Sequence, residues 1–340
     1  MVRAGVVGAT GYAGEELIGL LLKHPQVKIT SISAKIDQPR DIAKIFPKFK
    51  NRIDLICAGP DIKEISAKCD VVFLALPHTV SMQMVPKLLK AGKKVIDLSA
   101  DYRLKNIKVY ARFYKAAHKD KKNLKKAVYG LPELYRNVIK NAALIANPGC
   151  YPTAAILALA PAVACDLVKL DSIIIDAKSG VSGAGRKASS ELMFTEINED
   201  FKAYKVNMHQ HAPEIDQILS KLAVEKLKVT FVPHLLPLNR GILETIYLKK
   251  NNGSKNRTQD FTALYKKFYK KEPFIRIKEE GQYPCLKDVV NNNFCDIGIK
   301  EDKEGLIIIA AIDNLLKGAS GQAVQNMNIM YKFPEQLGLI

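Results

Sequence analysis

The chain has 340 residues and carries 52 Lys and Arg against 34 Asp and Glu, a formal net charge of +18. At roughly 100–200 residues per domain the length predicts two domains, and 48% apolar with 25% charged residues excludes a disordered chain and supplies material for two cores. A spanning helix needs about 20 apolar residues in a row, whereas the longest candidate, Ala154–Cys165, is short and carries Pro161. The N-terminal apolar stretch is cut by Gly8, Gly11, Gly14, Glu15 and Glu16, so it reads as the start of a fold and not as a signal peptide, and the cytoplasm is the expected compartment. Of the basic residues 42 are lysine, scattered, with the densest run at Lys119–Lys126. This reads as solvated surface with some steering of anionic substrates, and neither nucleic acid nor membrane is an expected partner. Six cysteines without a CxxC pair point to neither a zinc knuckle nor a disulfide framework.

In chain order, Val2–Val7 reads as a strand, Gly8–Gly14 as a glycine turn and Glu15–Lys23 as a helix that ends before Pro25. Val27–Ile32, Val71–Leu76, Lys94–Leu98 and Ala143–Ala146 are further strands, and Thr79–Lys90 is a helix despite Pro86. Continuous apolar strands suit a parallel sheet covered on both faces, and the alternation predicts a doubly wound α/β domain. From Tyr151 the pattern changes. A long helix, Tyr151–Ala164, precedes strand-like runs at Ser172–Ala177, Lys228–Val232, Gly241–Leu248, Phe274–Lys278, Phe294–Lys300 and Leu306–Ile312. Asp260–Lys271 is the one further strong helix among them, so an α+β domain with a mostly antiparallel sheet is expected. Asn251–Gln259 reads as a surface loop, and a last helix, about Ala319–Tyr331, is placed to pack back on the first domain.

Gly8, Gly11 and Gly14, directly between a strand and a helix, form a variant of the dinucleotide fingerprint. Its glycines permit a tight turn and close approach to a pyrophosphate, which the helix N-terminus then binds. A site for NAD usually places an acid at the end of the second strand. Here the run is Thr30-Ser31-Ile32-Ser33-Ala34-Lys35, with no acid before Asp37, so hydroxyls and a lysine favour the 2′-phosphate of NADP.

Cys150 lies between Gly149 and the start of a predicted helix, where the dipole and free N–H groups stabilise a thiolate. It is the candidate nucleophile, against a buried thiol. His209-x-His211, followed by Pro213 and Glu214, is a candidate acid/base cluster. No third ligand stands at metal spacing, and no metal is expected. The Ser179–Arg186 turn misses the serine-hydrolase elbow because Ala184 replaces its second glycine.

Taken together, Gly8–Gly14 (GATGYAG), Ser99–Arg103 (SADYR), Ala146–Ala154 (ANPGCYPTA), Ser179–Arg186 (SGVSGAGR), His209–Ile215 (HQHAPEI) and Asp313–Asn328 resemble the N-acetyl-gamma-glutamyl-phosphate reductase family, type 1, in the family's order. The resemblance implies a semialdehyde dehydrogenase-like fold. A Rossmann-type NADP-binding domain would span 1–148, with about 313–340 packing back, and a catalytic and dimerisation domain would span 149–312. It implies an NADP-dependent oxidoreductase of arginine biosynthesis, which reduces N-acetyl-L-glutamyl 5-phosphate to the 5-semialdehyde and phosphate through a cysteine thioester. Cys150 is then the nucleophile, and His209 the acid/base with His211 competing. The dinucleotide falls to Gly8, Thr10, Gly11, Tyr12, Ala13, Gly14, Ser33, Lys35, Pro77, Ser182, Gly183, Asn314 and Gly318. The acyl phosphate falls to Arg103, Asn147, Arg186 and Glu214. A homo-oligomer, dimer or tetramer, is expected. Two alternatives are the same chemistry on a carrier-linked aminoadipyl phosphate of lysine biosynthesis and, more distantly, a non-catalytic NADP-binding protein.

Overall fold

A computed structural model describes residues 1–251, 253, 260–303 and 305–340. Most of the expected surface loop Asn251–Gln259 therefore lies outside the described residues. The chain divides into two compact units, Met1–Pro148 with Ala319–Ile340, and Gly149–Gly318.

The first unit is built on six parallel strands: β1 Val2–Val7, β2 Val27–Ser33, β3 Val71–Leu74, β4 Lys94–Asp97, β5 Val128–Tyr129 and β6 Leu144–Ala146. Their order is β2-β1-β3-β4-β6-β5. The two-residue β5 escaped the sequence reading because so short a run carries no periodicity. Side-chain alternation splits the apolar strands between two cores. Val6, Phe73, Ile96 and Ile145 face one layer with Leu17 and Ile18, while Val7, Val72, Leu74 and Val95 face the other with Met82, Val85 and Leu88. The covering helices are α1 (Tyr12–Leu21) and α2 (Ser81–Lys90). The C-terminal segment contributes a helix, Gly321–Met330, all ten residues of which are buried; its last carbonyl takes a hydrogen bond from Lys94 Nζ at 2.7 Å. After β1 the chain runs to β2 on one side and later to β3 on the other, so the turn at Gly8 sits at the switch point, where open α/β sheets bind ligands.

The second unit is a seven-stranded sheet: β7 Ile174–Gly180, β8 Lys202–Ala203, β9 Thr230–Leu236, β10 Ile242–Lys249, β11 Ile275–Ile277, β12 Cys295–Glu301 and β13 Gly305–Ile312. The order is β8-β9-β7-β10-β13-β12-β11, with β7–β9 and β11–β12 parallel and the other pairs antiparallel. Against it packs α3 (Cys150–Ala164), in which every residue from Tyr151 to Val163 is buried, and α4 (Ala212–Ala223) packs on α3. The sequence reading lacked α4. Its Pro213, which suggests a break, occupies the first turn, where a missing N–H costs nothing. Asp313–Gly318 stays with this unit: buried Asp313 pairs with Arg240 at 3.0 Å, and Asn314 Oδ1 accepts the Gly241 N–H at 2.7 Å.

Candidate active site

In the first unit the glycine turn is shaped by contacts that side chains would block. Gly8 has φ +89°, and a Cβ there would stand 2.1 Å from the Ala75 carbonyl; one on Gly14 would stand 2.2 Å from the Gly8 carbonyl. A Cβ on Gly11 would meet only the Gly8 oxygen, at 3.5 Å, so this position is open. Gly11 is the N-cap of α1 and offers no side chain to its first-turn amides, and Thr10, Tyr12 and Ala13 flank it. The Ser33 carbonyl accepts the Gly8 and Ala9 N–H groups at 2.8 and 3.1 Å, which brings the end of β2 to the turn. Ser33 Oγ is buried with no hydrogen-bond partner among the described residues. A cradle that Cβ atoms would fill, an uncapped helix N-terminus and an orphaned hydroxyl at the second strand end fit a dinucleotide. Lys35 and Pro77 are exposed.

Arg103 and Asn147 are also brought together in this unit. Both are buried, and Arg103 donates through Nε to the Asn147 carbonyl at 2.7 Å and through Nη2 to the Leu98 carbonyl at 2.6 Å. The Asn147 side chain is occupied at both ends, donating to the Ala319 carbonyl and accepting from Asn326 Nδ2, each at 3.1 Å. It braces the strand end three residues before Cys150, using one hydrogen of Nδ2 and one lone pair of Oδ1 in these bonds. Arg103, held at two points, keeps a fixed guanidinium plane.

In the second unit Cys150 is the first residue of α3, part-exposed, ahead of the buried run Tyr151–Val163. Pro152 has no N–H, and the Thr153 N–H is taken by the Gly149 carbonyl at 3.0 Å, so the donors of this helix start are the Cys150 and Tyr151 amides. Buried Glu214, in the first turn of α4, accepts the Gly149 N–H at 2.9 Å and ties the two helix starts together. Gly318 adjoins the thiol residue, since a Cβ on it would lie 2.8 Å from Cys150 Cβ.

His209 and His211 are both buried, with ring centroids 4.8 Å apart, and Tyr151, next to Cys150 in the chain, makes edge contacts with both at 5.5 and 6.0 Å. His209 Nδ1 accepts the His211 backbone N–H at 3.1 Å, which places the proton of the neutral ring on Nε2, 3.4 Å from the Tyr204 hydroxyl. Burial, with Tyr204 and Cys150 nearby, pushes the Tyr151 phenol far up, and burial pushes Tyr204 up to about 12. Both phenols therefore stay protonated at neutral pH and can donate but not act as bases. Tyr151 and Tyr204 were not among the expected site residues; the one available signal was the position of Tyr151 beside the thiol. Among the described residues no cluster of His, Cys, Asp and Glu could hold a metal.

Ser182, Gly183 and Asn314 form a second group in this unit: Asn314 Nδ2 donates to Ser182 Oγ at 2.9 Å, and Gly183 lies against both Ser179 and Asn314. Arg186 is exposed beyond this turn.

The family model described as "Semialdehyde dehydrogenase, NAD binding domain" matches residues 3–142, and "Semialdehyde dehydrogenase, dimerisation domain" matches 150–314. Aspartate semialdehyde dehydrogenase II from Vibrio cholerae, complexed with ASA, superposes with a TM-score of 0.73 at 16% identity, over 98% of each chain. The aspartate semialdehyde dehydrogenase with NADP from Candida albicans gives 0.71 at 17% identity, over 97% of this chain and 98% of that one. Fold and site thus define a semialdehyde dehydrogenase, an oxidoreductase with a nicotinamide-dinucleotide domain and a dimerisation domain. Relatives named N-acetyl-gamma-glutamyl-phosphate reductase from Acetivibrio thermocellus and Geotalea daltonii are each 48% identical over 100% of this chain and 98% of their own length. The chain belongs to the N-acetyl-gamma-glutamyl-phosphate reductase family. Among the described residues no helix is long and apolar enough to cross a membrane.

Proposed function

We propose that the protein reduces N-acetyl-L-glutamyl 5-phosphate to N-acetyl-L-glutamate 5-semialdehyde and phosphate, with NADPH as the reductant, in the cytoplasm and as a homo-oligomer. The observation that carries this reading is Cys150 at the start of a buried helix, with Glu214 on the preceding amide and two histidines packed on the adjoining Tyr151. The Cys150 thiolate, favoured by the helix N-terminus, attacks the acyl carbon, and the carbon–oxygen bond to phosphate breaks. In this reading the amides at the start of the Cys150 helix serve the tetrahedral oxyanion as donors. When bound, the reduced dinucleotide supplies the hydride that takes the thioester to the aldehyde level. His209 then acts as the acid/base: its imidazolium form gives a proton to the oxyanion left by hydride addition and takes it back as the hemithioacetal collapses to aldehyde and thiolate, with His211 as the competing group. Glu214 fixes the Gly149–Cys150 peptide and so positions the nucleophile. The preceding Arg103 is the anchor for a substrate anion, and Arg186 a second one. Asn147 acts through the Arg103 site as a brace.

In this reading Gly8–Gly14 hold the pyrophosphate, Ser33 and Lys35 the 2′-phosphate ribose, and Pro77 the nicotinamide ribose. Ser182, Gly183, Asn314 and Gly318 complete the set. The absence of an acid from Thr30 to Ile36 supports NADP over NAD.

The test is the reverse reaction, in which N-acetylglutamate 5-semialdehyde, phosphate and NADP are supplied and reduced nicotinamide is followed by absorbance. Wild type should respond, and Cys150→Ser should fall by orders of magnitude. Equal rates for the two would refute the covalent route. His209→Ala and His211→Ala in the same assay rank the histidines. A tenfold preference for NAD over NADP would refute the cofactor assignment, and turnover confined to a carrier-linked aminoadipyl substrate would refute the substrate.

A further inference from the structure

One residue of the first unit's ligand edge is held in a backbone conformation its side chain resists. Thr79, five residues past the end of β3, has φ +75°. A β-branched residue is a genuine outlier in the left-handed region, and such strain persists only where the surroundings over-determine it.

The surroundings here are one carboxyl group. Asp101, fully buried, accepts the Thr79 N–H at 2.7 Å and the Tyr110 hydroxyl at 2.7 Å through Oδ1, and the Met82 N–H at 3.1 Å through Oδ2. Met82 lies in the first turn of α2, whose own N-cap, Val80, supplies no side-chain bond. Asp101 therefore caps α2 from another loop, and the cap passes through the strained turn. A second bond runs beside the first, with the Ala100 N–H donating to His78 Nδ1 at 3.1 Å. Asp101 is itself fixed, because its N–H donates to Ser99 Oγ at 3.1 Å and its carbonyl lies 2.6 Å from His118 Nε2. The loops after β3 and β4 are thereby braced together next to the switch point that carries Gly8. The Asp101 loop also carries Arg103.

We propose that Asp101 is a positioning residue for dinucleotide binding: it holds Thr79 left-handed, so that the Pro77–Thr79 loop is pre-formed for the nicotinamide half. This rests on the functional reading above. A loop set in its bound shape avoids an ordering cost on binding, and releasing it lowers affinity by the fraction of time it spends in other shapes. A helix cap alone would change stability without that loss.

The experiment measures NADPH affinity by nicotinamide fluorescence with no substrate present, alongside thermal unfolding. Asp101→Asn keeps the size of the side chain but turns one acceptor into a donor facing an N–H. It should weaken NADPH binding about tenfold, raising the NADPH KM far more than it lowers kcat. Adding Thr79→Gly to that variant should recover most of the loss, since glycine adopts φ +75° without being held. If Asp101→Asn fails to fold, Thr79→Pro, which excludes positive φ and lacks the N–H, decides against Thr79→Gly: the proline variant should bind NADPH at least about fivefold more weakly. Unchanged affinity in Asp101→Asn, no recovery with Thr79→Gly, or equal affinity of the proline and glycine variants each overturns the proposal. A wild-type protein that binds no nicotinamide dinucleotide would instead overturn the functional reading.

Discussion

Gly318 gives the sharpest handle on how the thiol is placed. An alanine there would set its Cβ 2.8 Å from Cys150 Cβ, 3.2 Å from Cys150 Cα and 3.3 Å from the Asp313 carbonyl. Carbon atoms in ordinary contact are about 3.5 Å or more apart, so something must move by about 0.7 Å. The Gly318 side is tied by its own N–H to the Asp313 carbonyl at 2.9 Å, and the Cys150 side belongs to a buried helix whose start is tied to Glu214. Neither is the free end of a flexible side chain. Overpacking of this kind costs about 1–3 kcal/mol, a melting temperature lower by some degrees. A nucleophile displaced by nearly 1 Å loses rate by about 10²-fold. The reverse-reaction assay reads kcat, and the rate of Cys150 alkylation by iodoacetamide in the absence of substrate reads the thiol's setting directly. Gly318→Ala should lower kcat by about 10- to 100-fold and change the alkylation rate. If kcat stays within about twofold and the melting temperature does not move, the close packing is not what places the thiol.

Gly14→Ala would push a Cβ to 2.2 Å from the Gly8 carbonyl and 2.8 Å from Ala9 Cα; loss of nicotinamide binding in a fluorescence titration is expected, and retained affinity would contradict the cradle. Glu214→Ala leaves the buried Gly149 N–H without its acceptor, a cost of about 1–3 kcal/mol. Glu214→Gln keeps an oxygen for it, so chemical denaturation should rank wild type, Gln, Ala in falling stability, with kcat in the same order. Burial and the Asp101 charge raise the Asp97 carboxyl to about 6, and burial raises Glu244 well above the carboxylate range. A carboxyl raised in the folded state contributes stability that is complete below its unfolded pKa and lost as pH rises through the folded one. Unfolding free energy should therefore fall between pH 4 and 6 by up to about 3 kcal/mol from Asp97. Asp97→Asn should flatten that fall, and an unchanged pH profile would contradict the burial assigned to this group.

Much of the first unit was legible in the sequence because its signals are local. Apolar runs such as Val71–Leu74 and the spacing of Gly8, Gly11 and Gly14 state strand, turn and helix within a few residues of one another. Cys150 before an apolar helix was visible for the same reason, whereas α4 was hidden by Pro213 and β5 by its length. Which groups meet was another matter. Glu214 reaches Gly149 across 65 residues, Gly318 reaches Cys150 across a whole unit, and Asp101 reaches Thr79 between two strands. No periodicity carries such pairings, because they depend on where strand ends fall after the sheets have formed. The same holds for Asn147, whose bonds to Ala319 and Asn326, 172 and 179 residues away, no local pattern announces. The kinds of chemistry present are thus written along the chain, since helix starts and glycine turns act on their immediate neighbours. The partners of each buried polar group were decided by tertiary structure, because a hydrogen bond demands a distance near 3 Å that only the folded packing provides.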